Sequence, residues 1–472
     1  MPSGNRDGGG TCELRWGGVR RRAFLFMHER SRMPLTMSGL LQEIVGAPDR
    51  QDLPGEIGVI SWDSEDDPQF LSEVAERERD RVELTRRGIS HGSWAEISTA
   101  GLCDVEAADI HVWRQRWADA RPILLRGLLD STLPGFAPLI AERSKLHEAI
   151  RTDGALDAFL EASLGRLDPR FTVRGAEESD ALGEAADAEN LRDIERRFLG
   201  FDGGEADRKT PNFWVKTQRL SDHEEDMSAR VRISFGVEVD DDASHDEVSH
   251  RVVEKLGREL LPETALIREN KELEKLLVEL DLIEEVEESD DGPQPPQGAH
   301  YFTQDIAYWN APNGGVLMHH DAFDEDYNHR QRGVVYAQLS GVTAWIALST
   351  QELAARVTEF VEFISEGEMP WLKSALFRGH QGATLMRKIL KGGRFVYEEL
   401  DKPGCGQLAR LVNRGPEFTN LLADAGHAFM VRPGDVLVMP NHGLGHTLLH
   451  SVFCASAEPG YSLSLALRRA SK

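Results

Sequence analysis

Two histidines and one aspartate are the side chains of this chain whose types and spacing best suit metal chemistry. His319 and Asp321 close the run Gly314-Gly-Val-Leu-Met-His-His-Asp321. Alternate side chains of a β-strand point to the same face, so one strand brings His319 and Asp321 together. His450, from a distant segment, is the candidate for a third ligand. Two imidazoles and one carboxylate leave open positions on a metal and suit non-haem Fe(II).

The same histidine-to-acid spacing occurs elsewhere without the same context. His223-Glu-Glu225 and His245-Asp-Glu247 lie in a strongly acidic segment that has no strand-like apolar pattern. These two motifs are therefore interpreted as solvated surface. His320, next to the pair of candidate ligands, is expected to point to the opposite face of its strand, as a structural or surface histidine.

Several predicted elements surround the candidate ligands. The first is a helix with two tryptophans and a short strand, Trp113-Arg-Gln-Arg-Trp-Ala-Asp-Ala-Arg-Pro-Ile-Leu-Leu-Arg-Gly127. A strand that begins near Tyr308 leads into His319. A strand, a glycine turn at Gly341 and another strand follow over 334–348. Finally, Pro433-Gly-Asp-Val-Leu-Val-Met-Pro440 precedes a histidine-rich run.

The order of these pieces, from Asp109 to Arg468, resembles the Jumonji-C-like cupin family of Fe(II)/2-oxoglutarate oxygenases. The resemblance implies a mainly β structure with helical insertions, of the α+β class. Its centre would be a double-stranded β-helix, the jelly-roll or cupin barrel, with a helical cover. The implied activity is the hydroxylation of a peptide or protein side chain, or of a small molecule, with Fe(II) as cofactor and 2-oxoglutarate as cosubstrate.

The resemblance places the metal on His319, Asp321 and a distal histidine. Three histidines follow Pro440, namely His442, His446 and His450. His446 has nearly the family's distance from that proline and is the alternative ligand. His450 has the family's ending, a histidine followed by any residue and a valine, and the expected distance to the last strand. We therefore favour His450.

The chain departs from the family where the far carboxylate of 2-oxoglutarate is held. Family members often carry a lysine or arginine just after the glycine turn, and a threonine three residues before the first metal histidine. Here Thr343 and Val316 occupy these positions. A neutral threonine cannot supply the charge-assisted hydrogen bond that a carboxylate prefers. Arg468 is the first candidate for a replacement, with Arg469 and Arg332 as further candidates.

The missing basic residue leaves two other functions open. One is a metallocupin of another class that does not use 2-oxoglutarate. The other is a non-catalytic binding module that has kept the fold and lost the cosubstrate site. An intact set of His319, Asp321 and His450 favours the enzyme over both alternatives.

The chain is predicted to contain three regions. Residues 1–33 are rich in glycine and arginine and predict a disordered tail, and 34–105 predict a helical or mixed N-terminal cap. Residues 106–472 contain the predicted barrel. An acidic insertion at 222–297 and a second insertion at 350–425 interrupt it.

The net charge of −26 is concentrated in the acidic insertion. Between Asp222 and Asp291 there are 24 acidic and 8 basic residues, a balance of −16. Within it, 230–239 alternates like a strand, and a later leucine stripe is predicted to pack on the parent domain. An acidic surface opposes phosphate backbones, so nucleic acid is not expected as a partner. A basic protein is compatible with this surface, and so is a simple solvated face.

Apolar runs and cysteines indicate the compartment. No apolar run approaches 18 residues, so no membrane span is expected. The four cysteines are far apart and form no Cys-x-x-Cys motif, which argues against a disulfide framework or a zinc site. A cytoplasmic location is the resulting prediction.

Overall fold

The computed structural model describes part of the chain, and the statements below refer to that part. The described residues are 110–149, 171–174, 193–201, 213–219, 229–235, 256–283, 288–289, 292–293, 301–310, 315–322, 331–367, 373, 376–392, 394–401, 407–408, 411–412, 418–419, 421–422, 425, 427–456 and 458–468. The predicted tail at 1–33 and cap at 34–105 lie outside the described residues, as does about half of the acidic insertion.

Antiparallel strands dominate the described residues, and helices join them to give an α+β structure. The strands are β1 (Ile123–Leu125), β2 (Phe171–Arg174), β3 (Asp193–Phe201), β4 (Phe213–Arg219), β5 (Ala229–Phe235), β6 (Glu288–Ser289), β7 (Gly292–Pro293), β8 (Tyr301–Asn310), β9 (Gly315–His319), β10 (Gln331–Ser340), β11 (Thr343–Ser349), β12 (Ala428–Val431), β13 (Val436–His442), β14 (His446–Cys454) and β15 (Gly460–Arg468). The helices are α1 (Ile110–Ala118), α2 (Leu133–Ala149), α3 (Ala265–Arg268), α4 (Lys271–Glu279), α5 (Thr350–Ser365), α6 (Gly379–Leu390) and α7 (Arg394–Glu399).

Most of these strands belong to one sheet. Its pairing order is β12-β11-β14-β13-β10-β15-β8-β5-β4-β3-β2, with β1 beside β13 and β9 beside β14. Within the described residues β12 and β2 are the ends of this path, so the sheet is not closed. The α+β prediction is therefore confirmed, and the predicted strand over 230–239 corresponds to β5.

Alternating side chains divide the apolar residues between the two faces of the sheet. On β10, Val335, Ala337 and Leu339 belong to one buried cluster, whereas Val334 and Tyr336 belong to another. We call the second group the inner cluster. Its buried members come from β1 and β10 to β14 and are Leu124, Val334, Tyr336, Trp345, Ala347, Phe429, Val431, Leu437, Met439, Leu448 and Val452.

The inner cluster requires the sheet to bend. The rings of Tyr336 and Trp345 lie 4.7 Å apart, although β13 and β14 separate β10 from β11 in the pairing order. Strands in a flat sheet lie about 4.8 Å from each neighbour, so these two rings could not meet across it. The tight connection at Gly341 allows the contact. Its φ is +67°, and a Cβ there would lie 2.7 Å from the Cα of Gly460.

Helices cover the outer faces of the sheet. The leucine stripe of the acidic insertion, including Leu273 and Leu276 of α4, is buried in the cluster shared with β8, β10, β13 and β15. This packing confirms the prediction that the stripe lies on the parent domain. Helices α5 to α7 of the second insertion pack against β11, β12 and β14. None of the described helices is both long and apolar enough to cross a membrane.

A buried ion pair fixes the helical segment of the acidic insertion to the sheet. Arg268 donates to both carboxylate oxygens of Asp305 on β8, at 2.7 and 2.9 Å, and the two side chains are 2% and 0% exposed. The guanidinium also lies over the ring of Phe302, 4.8 Å from its centre. Removing one partner of such a pair leaves a buried charge without its counter-charge.

We therefore expect Asp305→Ala to lower the free energy of unfolding by about 3–5 kcal/mol, measured by chemical denaturation. The control is Arg394→Ala, because Arg394 and Glu398 form an ion pair whose side chains are 89% and 56% exposed. Loss of that surface pair should cost less than about 1 kcal/mol. Equal losses in the two variants would contradict this account.

Candidate metal centre

The pairing of β9 with β14 brings the candidate metal ligands together. The two strands are antiparallel, and His319 lies directly opposite His450 in the register. The two imidazole rings are 4.2 Å apart, centre to centre. Asp321 follows β9, and one carboxylate oxygen lies 3.8 Å from Nε2 of His450. One ligand atom from each of the three residues lies within 4.8 Å of the others, so the group could bind a metal ion.

The hydrogen bond made by His450 sets its tautomer. Its Nδ1 lies 3.2 Å from the backbone oxygen of Leu448, which can only accept. Nδ1 therefore carries the proton, and the lone pair of Nε2 faces Asp321. A metal-binding histidine needs this arrangement, with one nitrogen donating to the protein and the other free for the ion.

Burial favours the neutral form of the His450 ring. The side chain is 6% exposed, and desolvation lowers its pKa below the ordinary value of 6.5. The Asp321 carboxylate and the Leu448 carbonyl oppose this shift, whereas His320 adds to it. The ring of Trp345 stacks against His450 at 5.5 Å and closes one side of it. A neutral, fixed imidazole is the form that binds metals.

The three ligands differ in their access to solvent. The Asp321 side chain is 43% exposed, and His319 is half-buried. His450 lies deeper, among the inner cluster on β14. The centre is thus open on the side of Asp321 and closed on the side of Trp345, which leaves one direction from which a large substrate could approach.

His446 is held by a different contact. Its Nε2 lies 2.6 Å from the backbone oxygen of Trp117, and the two rings meet edge to face at 5.8 Å. His446 thus joins the β13–β14 hairpin to the end of α1. His442 is its register partner across that hairpin. Of the three histidines after Pro440, the structure brings only His450 to His319 and Asp321.

His320 points away from the three ligands, as expected from strand alternation. Its Nε2 lies 2.9 Å from the backbone oxygen of Asp401, in the second insertion. Met318, on the same face of β9, is buried against the helices of that insertion. Phe377 of that insertion is buried in the same cluster, and Phe395 packs against it.

Thr343 belongs to a buried group of polar side chains that we call the uncharged cluster. Its members are Tyr336, Gln338, Thr343, Trp345 and Ser462. Oε1 of Gln338 accepts from Tyr336 at 2.5 Å and from Thr343 at 2.9 Å. The indole of Trp345 donates to Thr343 at 2.9 Å, and Nε2 of Gln338 donates to the Ser340 carbonyl at 2.6 Å.

No lysine or arginine contacts the uncharged cluster within the described residues. Burial raises the pKa of Tyr336 well above its ordinary value, and the neighbours that modify this shift are Ser462, Thr343, Tyr308 and Cys454. A nearby cation would lower the pKa, and no described lysine or arginine contributes in this way. The described side chains here therefore do not fit a carboxylate group.

The arginines considered as replacements for the missing cation lie at the opposite end of their strands from the uncharged cluster. Arg468 is the last residue of β15 and pairs with Gln331 and Tyr301 through its backbone; its side chain is outside the described atoms. It stands six residues from Ser462, which corresponds to about 20 Å along a strand. Arg332 lies near His446, whose pKa its charge helps to lower. Arg469 is not among the described residues.

Sequence reasoning missed most of the uncharged cluster. Tyr336 and Gln338 alternate on β10, while Thr343 and Trp345 alternate on β11, so strand period alone places each pair on one face. The signal that was overlooked is that these faces carry polar side chains inside an otherwise apolar strand. Ser462 has the same signature on β15, where it lies directly opposite Gln338.

Comparison with known proteins provides little further information. No protein-family model and no curated protein matches the chain. Among solved structures, the X-ray structure of E. coli ycfD aligns over 64% of this chain at 13% identity, with a TM-score of 0.19. The alignment spans 50% of the length of that chain. A TM-score this low carries no argument about fold or function.

The geometry predicts which histidine binds metal. After anaerobic reconstitution, wild-type protein should hold about one Fe(II) per chain, as a single set of three ligands requires. His450→Ala should lose most of this metal, because it removes a ligand. His446→Ala should keep it, since Nε2 of His446 is used by Trp117. Metal content is measured by elemental analysis, and loss in His446→Ala with retention in His450→Ala would refute the assignment.

The lowered pKa of His450 also predicts how stability depends on pH. Below about pH 6.5 the unfolded chain takes up a proton on this histidine, which the folded, metal-free protein takes up only at a lower pH. The unfolded state then binds more protons, so the free energy of unfolding falls as the pH decreases from 6.5. His450→Gln should show a shallower fall in denaturation at a series of pH values. Parallel curves for the two proteins would contradict the prediction.

Proposed function

We propose that this protein is an Fe(II)-dependent oxygenase that uses a 2-oxo acid as cosubstrate. The observation that carries the proposal is the convergence of His319, Asp321 and His450, with their ligand atoms within 4.8 Å of one another. A set of two histidines and one carboxylate suits Fe(II) enzymes that need open metal positions. The resemblance to Jumonji-C-like cupins, seen in the order of the sequence motifs, supports the same class.

The proposal includes a double-stranded β-helix as the scaffold. In such a barrel, inward side chains alternate with outward ones and come from strands distant in the chain. The inner cluster supports it, since it draws alternate residues from β1 and β10 to β14. The contact of Tyr336 with Trp345, across strands that are not neighbours, supports it as well.

The residues of the site have separate roles in this proposal. Bound Fe(II) would supply the oxygen and electron-transfer chemistry that protein side chains lack. His319 and His450 would hold it as neutral ligands, and Asp321 would supply the one negative charge. Trp345 and the inner cluster exclude water from the buried side. The half-exposed side near Asp321 is where the substrate would enter.

The substrate in this proposal is a peptide or small molecule that is hydroxylated on carbon. Recruitment of a basic protein by the acidic insertion and a cytoplasmic location stay predictions. A second candidate function is a metallocupin that acts without a 2-oxo acid. The uncharged cluster favours this alternative, because it provides no cation where the resemblance calls for one.

Dioxygen consumption separates these two functions. We expect the Fe(II) form to consume dioxygen when a 2-oxo acid is added, even without the final substrate, and to do so slowly. Asp321→Ala should abolish the reaction because it removes the charged ligand and the metal with it. Arg394→Ala, a surface change far from these residues in the chain, is the matched control and should react like wild type.

Each outcome favours a different conclusion. Dioxygen consumption that is independent of any 2-oxo acid would favour the second candidate. Metal binding without any dioxygen consumption would argue against the oxygenase and leave a metallocupin that does not use dioxygen. A chain that takes up no metal at all, in wild type and Asp321→Ala alike, would leave a binding module as the better description.

A further inference from the structure

We propose that the uncharged cluster determines which 2-oxo acid this protein binds, and that it selects one whose inward end carries no charge. The inference rests on the proposed function, since it concerns the ligand of the same metal centre. It is carried by three observations. These are the position of the cluster behind Trp345, the hydrogen-bonding capacity of its members, and the charge balance of the site.

The cluster lies next to the metal ligands. The indole of Trp345 stacks on His450 on one side and donates to Thr343 through Nε1. The indole of Trp345 therefore lies between Thr343 and the ring of His450. A ligand that binds the metal and extends inward along Trp345 would reach this polar group.

The cluster retains hydrogen-bonding capacity for an uncharged oxygen. Ser462 is completely buried, and Tyr336 is the one described side chain placed to hydrogen-bond with its hydroxyl. It lies close enough to lower the pKa of Tyr336, so it faces the cluster. Gln338 uses one of its two amide hydrogens for the Ser340 carbonyl. A hydroxyl offers one donor and two acceptor positions, so its contact with Tyr336 leaves Ser462 capacity for a ligand oxygen.

Counting charges indicates the same class of ligand. A divalent ion held by Asp321 and two neutral histidines keeps one positive charge. A 2-oxo acid with a single carboxylate would neutralise the site. A second carboxylate, as in 2-oxoglutarate, would bring a buried negative charge to a cluster that has no cation among its described contacts. Burying such a charge without a counter-charge is strongly unfavourable.

The experiment compares two ligands of nearly equal shape. Protein loaded with Mn(II), which does not start oxidation, is titrated by calorimetry with 2-oxoglutarate and with its 5-methyl ester. We expect the ester to bind at least roughly tenfold more tightly, a ratio that corresponds to about 1.4 kcal/mol. Equal or tighter binding of 2-oxoglutarate would overturn the inference.

Two variants test whether the cluster causes this preference. Thr343→Lys supplies the missing charge and should shift the preference toward 2-oxoglutarate by roughly tenfold or more. Ser462→Ala should weaken binding of the ester and leave the metal content unchanged. Ser365→Ala is the control, because it removes a hydroxyl at the end of α5 that bonds only within its helix. An unchanged preference in Ser462→Ala would place the inward end of the ligand elsewhere.

The failure of the proposed function would look different from the failure of this inference. Manganese content is measured on each sample before titration. A protein without bound metal would refute the metal centre itself. A metal-loaded protein that binds neither ligand would refute the 2-oxo acid while the metal centre remained. Because wild type alone gives the main comparison, the test does not depend on Thr343→Lys folding correctly.

Discussion

The candidate site depends on the register between β9 and β14. His319 and His450 face each other because these two residues are exact partners in that antiparallel pair. A slip of one residue would turn every side chain of one strand to the opposite face. His320 would then take the place of His319, and its contact with Asp401 would be lost. Apolar side chains on both faces of β14 hold the register, with Leu449 packed outward and Val452 packed inward.

The helical insertions therefore contribute to the metal centre without containing any of its ligands. Helices α5 to α7 bury the outer face of β11 and β14, the strands that carry Trp345 and His450. On the other half of the sheet, the acidic insertion is fixed by the buried pair of Arg268 and Asp305. Buried pairs of this kind give little net stability, but separating the partners is costly because it leaves a charge buried alone. Both insertions therefore restrict the positions of the strands more than the pairing between these short strands would by itself.

Local patterns could be predicted from the sequence, and long-range pairings could not. The strand, turn and strand around Gly341 were recognisable because an alternating pattern flanks a glycine that the turn requires. His319 and Asp321 could be paired because their spacing is local. The distal ligand stayed ambiguous between His446 and His450, since the choice depends on how β13 and β14 form their hairpin. Two long-range contacts separate them, since His450 lies opposite His319 in the β9–β14 pair, whereas His446 contacts Trp117.

Thr343 stands where the resembled family has a lysine or arginine, and the reason for this difference becomes clear only from the residues around it in the fold. In the sequence, a threonine in place of the usual lysine or arginine suggests that the carboxylate-binding residue is lost. An arginine elsewhere in the chain would then have to replace it. In the fold, Thr343 is one member of a group in which Tyr336 and Thr343 both donate hydrogen bonds to Gln338. A buried network of this kind is favourable only when nearly all its members are satisfied. A cation placed there would need a counter-charge. The absence of lysine and the presence of tyrosine and glutamine therefore belong together, because they give a buried site that is hydrogen-bonded and uncharged.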